Sequence, residues 1–387
     1  MSWPLRGQFA IVGIGETVLG KLVGRSTLSL HLEAIKAALD DCGLTMRDVD
    51  GLLTNQPIND PMRSYAVVVA TAAGLAPNYA TDLANGGASP VAMAQHAIMA
   101  ISAGLCETVV CVHARNQATR SQLPERAEIR DGNEDFDEPY GFLGAVANHA
   151  LMASRHMALY GTTSAQLGAI AVAARRHAMV TPNATSKKPL TIEDHQASRY
   201  IVEPLRLFDC SLVSDGGGAF IVTTAERARD LPRPPVYVLG MGQHHPHSNL
   251  AMAKEVAALG GAISSRTAYR LAGLGPKDMD FAEIYDCFTS NTLITLEDYG
   301  FCEKGEGGPW VQGGRIELGG ELPVNTHGGL LSQAHVEGML HITEAVKQLR
   351  GLEPAARQVQ DAEVGIVSGH GGVGALHASL ILGKRAS

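Results

Sequence analysis

The most constraining feature of this chain is that it repeats itself once. Val236–Gly242 (VYVLGMG) echoes Phe9–Gly15 (FAIVGIG), with Gly240 and Gly242 standing where the first copy has Gly13 and Gly15. Gly273–Phe281 (GLGPKDMDF) echoes Gly43–Gly51 (GLTMRDVDG), sharing the Gly-Leu start and an Asp-x-Asp pair. His327–Ser332 (HGGLLS) loosely echoes Asn85–Ser89 (NGGAS). The echoes keep their order at an offset of roughly 230 residues, far beyond the period of about 20–50 that marks solenoids, so one domain is duplicated.

Within each copy, strand and helix signals alternate. Phe9–Gly15 is almost uninterrupted in apolar content, as a strand buried on both faces should be. A helix follows, with Ser26 or Thr27 as N-cap, Leu28, Leu32, Ile35 and Leu39 at helical spacing, and Gly43 as its stop. Next come a strand around Val49–Thr54, a glycine turn at Asn85–Gly87, a helix over Pro90–Ala103 ended by Gly104, and a strand at Thr108–His113. Val364–Ser368 is the late buried strand of the second copy. This alternation predicts a largely parallel α/β sheet covered by helices. The halves are expected at 1–230 and 231–387, with 115–205 falling outside the repeat as an inserted segment that covers one edge of the core and encloses a substrate.

Composition narrows the function class. Hydrophobic residues make up 45 %, aromatics only 5 %, and glycine 43 of 387 positions, which suits thin, tightly stacked layers. A net charge of −8 argues against nucleic-acid and anionic-membrane partners, which need a basic surface. The six cysteines form no CxxC pair, the usage of a reducing compartment. The N-terminus lacks the long apolar stretch of a signal peptide, and no apolar run approaches the ~20 residues that span a bilayer. A cytoplasmic protein is expected.

Four segments carry candidate chemistry: Asn85–Ser89, Glu283–Phe288, Asn325–Gly329 with His335, and Ser368–Gly372. Each sits where a strand gives way to a helix or a glycine turn. Backbone N–H groups there approach a ligand closely and can hold a developing oxyanion.

The run Pro204–Ala219 (PLRLFDCSLVSDGGGA) resembles the Pro-Leu … Asp-Cys-Ser … Ser-Asp-Gly segment of sterol-carrier-protein-type thiolases. Tyr285-Asp286-Cys287-Phe288 resembles their His-Asp-Cys-Phe motif, and Asn325–Gly329 with Ala334-His335 resembles their Asn … Gly-Gly … Gly-His-Pro motif. Ser368–Gly374 lies where thiolases have a CxGGGxG loop. The resemblance implies a thiolase fold: two βαβαβαββ-type halves forming a five-layered αβαβα core with an inserted loop region. It also departs from thiolases. Their nucleophilic cysteine falls on Ala84, no register of 82–91 supplies one, and the second cysteine falls on Ser368. Thiolate acyl transfer is therefore unavailable in these segments.

A thiolase fold without its nucleophile resembles the lipid-transfer-protein-type retro-aldolases, which cleave a β-hydroxyacyl-CoA into a carbonyl compound and a shorter acyl-CoA. The resemblance implies Tyr285 and His335 as the catalytic pair, a second tyrosine being usual where this chain has His335. Gly86, Gly87, Asn325, Gly329, Gly369, His370 and Gly371 would bind the substrate. It implies a homodimer, a CoA thioester as substrate, and an OB-fold/zinc-ribbon partner subunit holding any zinc. No metal or cofactor is expected on this chain. The rival readings are a thiolase-like acyltransferase and a silent acyl-CoA-binding subunit.

Plainer readings compete at each position. Tyr285 could be a core tyrosine. His335, read as opening a helix whose dipole keeps the imidazole neutral, could merely satisfy that helix. Asn325 could orient His335 or a water, or satisfy its own turn. Asp286 reads as structural, and Ser89 has no base nearby as a nucleophile. His244, His245 and His247, around Pro246, read as an exposed loop rather than a zinc site. Arg120, Arg126 and Arg130, among Asp131, Glu134, Asp135, Asp137 and Glu138, read as a solvated loop rather than a CoA-phosphate site.

Overall fold

The glycines of the first echo mark where a helix crosses a strand at backbone contact. A Cβ on Gly13 would lie 2.4 Å from the Ala38 carbonyl oxygen, and one on Gly15 2.4 Å from that of Ala34. In the second copy, Gly240 and Gly242 would meet the carbonyl oxygens of Ala268 and Ser264 at 2.2 and 2.1 Å. Any side chain at these four positions would push the helix off the sheet. The second echo also does the same work twice. Asp50 accepts the backbone N–H groups of Glu107 and Thr108, both at 2.9 Å, while Asp280 accepts those of Glu363 and Val364 at 2.8 and 2.9 Å. Each aspartate thus ties the start of one strand to the next. Gly43 and Gly273 both end their helices in the left-handed region, at φ 73° and 67°.

The computed structural model describes residues 3–56, 62–119, 138–142, 144–247, 250–374 and 376–386. Arg120, Arg126, Arg130, Asp131, Glu134, Asp135 and Asp137 lie outside the described residues.

The strands are β1 Phe9–Glu16, β2 Gly51–Thr54, β3 Tyr79–Asp82, β4 Thr108–Asn116, β5 Tyr200–Val202, β6 Leu205–Arg206, β7 Asp215–Thr224, β8 Val236–His244, β9 Phe281–Glu283, β10 Val364–Gly371 and β11 Leu376–Gly383. β5 and β6 form a small ribbon, and the other nine make one sheet in the order β3-β2-β4-β7-β1-β8-β11-β10-β9. Read outward from the β1–β8 junction, both runs go antiparallel, antiparallel, then parallel. A parallel bridge from Ala282 to Val324 stands in the second run where β3 pairs with β2 in the first. The duplication read from sequence is therefore a duplication of strand order and sense.

The principal helices are α1 Thr27–Cys42, α2 Tyr65–Ala73, α3 Ser89–Ser102, α4 Gly144–Tyr160, α5 Ser164–Val180, α6 Gly261–Ala272, α7 Thr289–Asp298, α8 Gly329–Ser332 and α9 Met339–Arg350. α1 and α2 cover the outer face of the first run, and α6, with α7 beside it, covers that of the second. α3 and α9 lie between the runs and touch strands of both, giving five layers, αβαβα. Their buried faces, including Met93, Ile98, Leu340 and Ile342, join Val109, Phe220, Val367 and Leu380 in one core. From the inserted segment, α4 and α5 pack on α7 and α5 packs on α8, so the insertion roofs the second half. None of the described helices is long and apolar enough to cross a membrane.

Candidate active site

β9 delivers the chain into a turn, Ile284–Phe288, that is held at every backbone group that matters. Asn325 spends both ends of its amide on Ile284, accepting its N–H at 2.6 Å and donating to its carbonyl at 2.8 Å. Ser368 Oγ accepts the Tyr285 N–H at 2.9 Å, and Asn291 donates to the Tyr285 carbonyl at 2.6 Å. Asp286 points away, accepting Leu330 N–H at 2.8 Å at the head of α8 and pairing with His341 at 3.2 Å. The Tyr285 ring fills the space that a side chain at Gly87 would need. A Cβ on Gly87 would lie 2.1 Å from Tyr285 Cζ and 2.2 Å from its hydroxyl.

The Tyr285 hydroxyl lies 3.1 Å from His335 Nε2, and His335 Nδ1 lies 3.2 Å from Ser211 Oγ. The expectation that His335 opens a helix needs correction. It sits in the connection between α8 and α9, which begins only at Met339. Glu337 and Gly338 take φ of 45° and 75° there, which breaks a helical path. The imidazole is neutral for another reason: burial, with the Arg115 guanidinium close by, holds its pKa down at about 3. Burial, reinforced by Cys287 and Glu337, pushes the Tyr285 phenol well above its ordinary value against the pull of Arg115. The resting pair is thus a neutral phenol on a neutral imidazole.

An ion pair that sequence reasoning missed lies beneath them. Arg115, at the end of β4, meets Glu337 at 2.8 Å, and Asn55 donates to the same carboxylate at 3.0 Å. Arg115 also donates to Gln117 at 2.6 Å.

The opposite wall comes from the insertion and β10. His149 of α4 stacks on Phe288 with ring centroids 4.4 Å apart, bonds the Ala145 carbonyl through Nδ1 at 2.8 Å, and sets Nε2 3.7 Å from Cys287 Sγ. Burial holds the His149 pKa near 4. The Cys287 thiol is driven well above its ordinary value, by burial first and by Asp286 next, so it stays protonated. His370 accepts Gly374 N–H on Nε2 at 3.2 Å, while its buried Nδ1 has no partner among the described residues. His149, Cys287 and His370 bring ligand-type atoms within 4.8 Å of one another, a spacing a transition metal could use.

These walls enclose a cavity of about 460 Å³ lined by Gly87, Arg115, His149, Tyr285, Cys287, His335, His370 and Gly371, with an apolar side of Ala145, Leu212, Val213, Phe288 and Val373. A second cleft of about 510 Å³, lined by Gly20, Lys21 and Thr185, shares Gln117, Leu212 and Val213 with it. The structure therefore brings Tyr285, His335, Gly87, His370 and Gly371 together. It does not bring Asn325 or Gly329 to the cavity: Asn325 braces Ile284, and a Cβ on Gly329 would lie 2.0 Å from Asp286. Gly86 and Gly369 pack behind the wall, Gly86 against Gly371 and Gly369 against Ala88. Ser89 spends its hydroxyl on Asn85 N–H at 3.0 Å and on the Leu83 carbonyl at 3.3 Å, which removes it as a nucleophile. His245 is exposed and bonds Gln243 at 3.1 Å, as a loop residue does.

Comparison with known proteins agrees with this geometry. The family described as Thiolase C-terminal domain-like matches residues 242–384. A 17-hydroxy-3-oxo-4-pregnene-20-carboxyl-CoA lyase of Mycobacterium tuberculosis is 40 % identical, over 98 % of this chain and 100 % of its own. The chain belongs to the thiolase superfamily. Another member, an acetyl-CoA acetyltransferase of Methanothermobacter thermautotrophicus, is 32 % identical over 95 % of this chain and 98 % of its own. Among solved structures, an Ltp2-ChsH2(DUF35) aldolase superposes with a TM-score of 0.90 at 38 % identity, covering 98 % of both chains. The superfamily thus holds both lyases and acyltransferases near this chain, and the site must decide between them.

Proposed function

We propose that this chain cleaves a β-hydroxyacyl-CoA thioester by retro-aldol chemistry, with no covalent acyl-enzyme. The observation that carries the reading is the Tyr285–His335 pair, 3.1 Å apart and lining the cavity from two connections of the second half, the turn after β9 and the link between α8 and α9. Tyr285 takes the β-hydroxyl proton while handing its own to His335 Nε2. The Cα–Cβ bond breaks, Cβ becomes a carbonyl, and the electron pair moves into the thioester as an enolate. The enolate then receives at Cα the proton that the relay had accepted, leaving a shorter acyl-CoA. The relay avoids a free phenolate, which burial disfavours, and Glu337 offsets the transient imidazolium.

The lyase relative's name describes a 17-hydroxyl β to the thioester carbonyl borne by C20, the arrangement that retro-aldol cleavage needs. A steroid-like apolar skeleton suits the wall formed by Ala145, Leu212, Val213, Phe288 and Val373. The aldolase neighbour's name joins two components, Ltp2 and ChsH2(DUF35), which supports a partner subunit that shares the binding of the CoA ester here too. The outer edge of β3, paired only on its β2 side, supports a two-fold dimer formed across that edge.

Cys287 on the cavity wall favours the acyltransferase alternative, and one assay separates the two. The chain, alone and with a candidate partner, is incubated with β-hydroxyacyl-CoA esters while ketone release is followed. Tyr285→Phe should lower kcat by about 10²–10⁴-fold, whereas Cys287→Ser should keep cleaving. Abolished cleavage in Cys287→Ser, or an acyl group trapped on Cys287 by mass spectrometry, overturns the lyase reading.

A further inference from the structure

We infer that His370 is a further catalytic residue, whose Nδ1–H donates to the thioester oxygen as enolate charge develops there. The inference rests on the lyase reading above and assigns a role in it that the Tyr285–His335 pair cannot fill.

A retro-aldol step needs two things at once: a base at the β-hydroxyl and a donor at the thioester oxygen. The base side is accounted for, because Tyr285 and His335 are hydrogen-bonded to each other at 3.1 Å. The donor must be an N–H or O–H already aimed into the cavity and not spent elsewhere. His149 is not that group. Its Nδ1 proton goes to the Ala145 carbonyl at 2.8 Å, which leaves Nε2 as an acceptor beside the Cys287 thiol at 3.7 Å. Arg115 already gives one N–H to Glu337, which neutralises its charge, and another to Gln117.

His370 has the opposite arrangement. The Gly374 backbone N–H can only donate, and it points at His370 Nε2 from 3.2 Å, so that nitrogen must present its lone pair. A neutral imidazole carries one N–H, which is therefore on Nδ1. That atom is buried and has no partner among the described residues, in a ring that is 2 % exposed and lines the cavity. The ring stands 6.1 Å from that of Tyr285 and 5.6 Å from that of His149. A thioester lying along this wall places its β-carbon toward the Tyr285 hydroxyl and its oxygen toward His370. Burial first, then the neighbouring His149 and His377, holds the ring's pKa well below its ordinary value, in keeping with the single-proton form that the Gly374 contact requires. A buried N–H without a partner costs stability unless a ligand satisfies it.

The test uses the full-length chain, with the partner subunit if cleavage needs it. His370→Ala should lower kcat by about 10²–10³-fold with little change in KM, the signature of a donor lost only in the transition state. His370→Asn, which returns an N–H near the Nδ1 position, should recover about tenfold of that loss. A second measurement does not depend on turnover. Propionyl-CoA carries no β-hydroxyl and cannot be cleaved, so its ¹³C-labelled carbonyl stretch reports polarisation in the bound state. The stretch should move to lower frequency on wild-type protein and return toward the free value on His370→Ala. If His370→Ala retains near-wild-type kcat while Tyr285→Phe does not, or if the bound stretch is the same in both proteins, the role given to His370 is wrong and the lyase reading stands. If wild-type protein cleaves no β-hydroxyacyl-CoA yet polarises the propionyl carbonyl through His370, the lyase reading fails while the donor assignment survives. Should His370→Ala not fold, ¹⁵N spectra of wild-type protein decide the tautomer, and an Nε2-protonated His370 overturns the proposal.

Discussion

Gly87→Ala is the sharpest perturbation of this site, because one methyl group lands on the Tyr285 hydroxyl. The added Cβ would lie 2.1 Å from Tyr285 Cζ, where ordinary contact begins at 3.4 Å, so the ring must retreat by about 1.3 Å, the difference of the two. It has little room. Ser368 and Asn291 hold its backbone on both sides at 2.9 and 2.6 Å, and Gly338 lies behind it, its own would-be Cβ 3.0 Å from Cδ2. A displacement of about 1 Å at a reacting group costs on the order of 10² in rate. Overpacking a well-filled site costs about 1–3 kcal/mol of stability. Steady-state release of the ketone and urea denaturation measure the two effects separately. The double variant Gly87→Ala/Tyr285→Phe should lose little beyond Tyr285→Phe alone, because the methyl acts through the hydroxyl it displaces. A Gly87→Ala enzyme with more than half of wild-type kcat, or losses that simply add in the double variant, would show that the Tyr285 hydroxyl is not where the chemistry occurs.

Glu337→Gln leaves Arg115 buried without its counter-charge, so unfolding free energy should fall by about 3–5 kcal/mol, and Arg115→Met added to it should restore part of that; equal losses in the single and double variants by urea titration would contradict this. Acid stability follows from the buried histidines. The folded-state pKa values of His335 and His377 are held near 3, and those of His31 and His149 near 4. The unfolded chain therefore binds their protons first, and stability should fall as pH drops from 6.5 toward 3–4, by about 1.4 kcal/mol per pH unit for each histidine fully titrating; a flat denaturation free energy between pH 6.5 and 5 would refute it. Purified chain should carry no stoichiometric metal, and chelation should leave its ketone release unchanged. A metal on His370 Nδ1 would force that ring's proton onto Nε2, against the Gly374 N–H. One equivalent of tightly held metal, lost on His149→Ala, would reverse this expectation.

What the sequence made legible was what is encoded locally and encoded twice. The Gly13/Gly15 and Gly240/Gly242 pairs, with Asp50 and Asp280, repeat because each half needs the same helix crossing and the same strand tie. Tyr285, His335 and His370, singled out through motifs, line the cavity, Tyr285 and His370 from strand ends and His335 from the link between α8 and α9. Asn325 and Gly329 belong to the same motifs, yet they act on backbone at Ile284 and on Asp286, and the motif alone does not distinguish a residue that faces the cavity from one that braces it. Arg115 and Glu337 were missed because neither has a local signature. Their pairing joins the end of β4 to the turn before α9 and exists only once α9 is layered between the two runs. His149 was missed for a similar reason, since its place depends on how α4 docks over α7.

The steric fit of Tyr285 on Gly87 bears on how this site relates to that of a thiolase. By the resemblance the thiolase nucleophile falls on Ala84, just before the glycine turn that heads α3, and in that turn the tyrosine ring occupies the volume a side chain at Gly87 would fill. A side chain at Gly87 and this tyrosine exclude each other, so glycine at 87 and tyrosine at 285 are coupled in one packing contact. The same contact seats the phenol against the Gly87 backbone, with its hydroxyl 3.1 Å from His335 Nε2. Burial and Asp286 keep the Cys287 sulfur protonated, which weighs against its acting as a thiolate nucleophile.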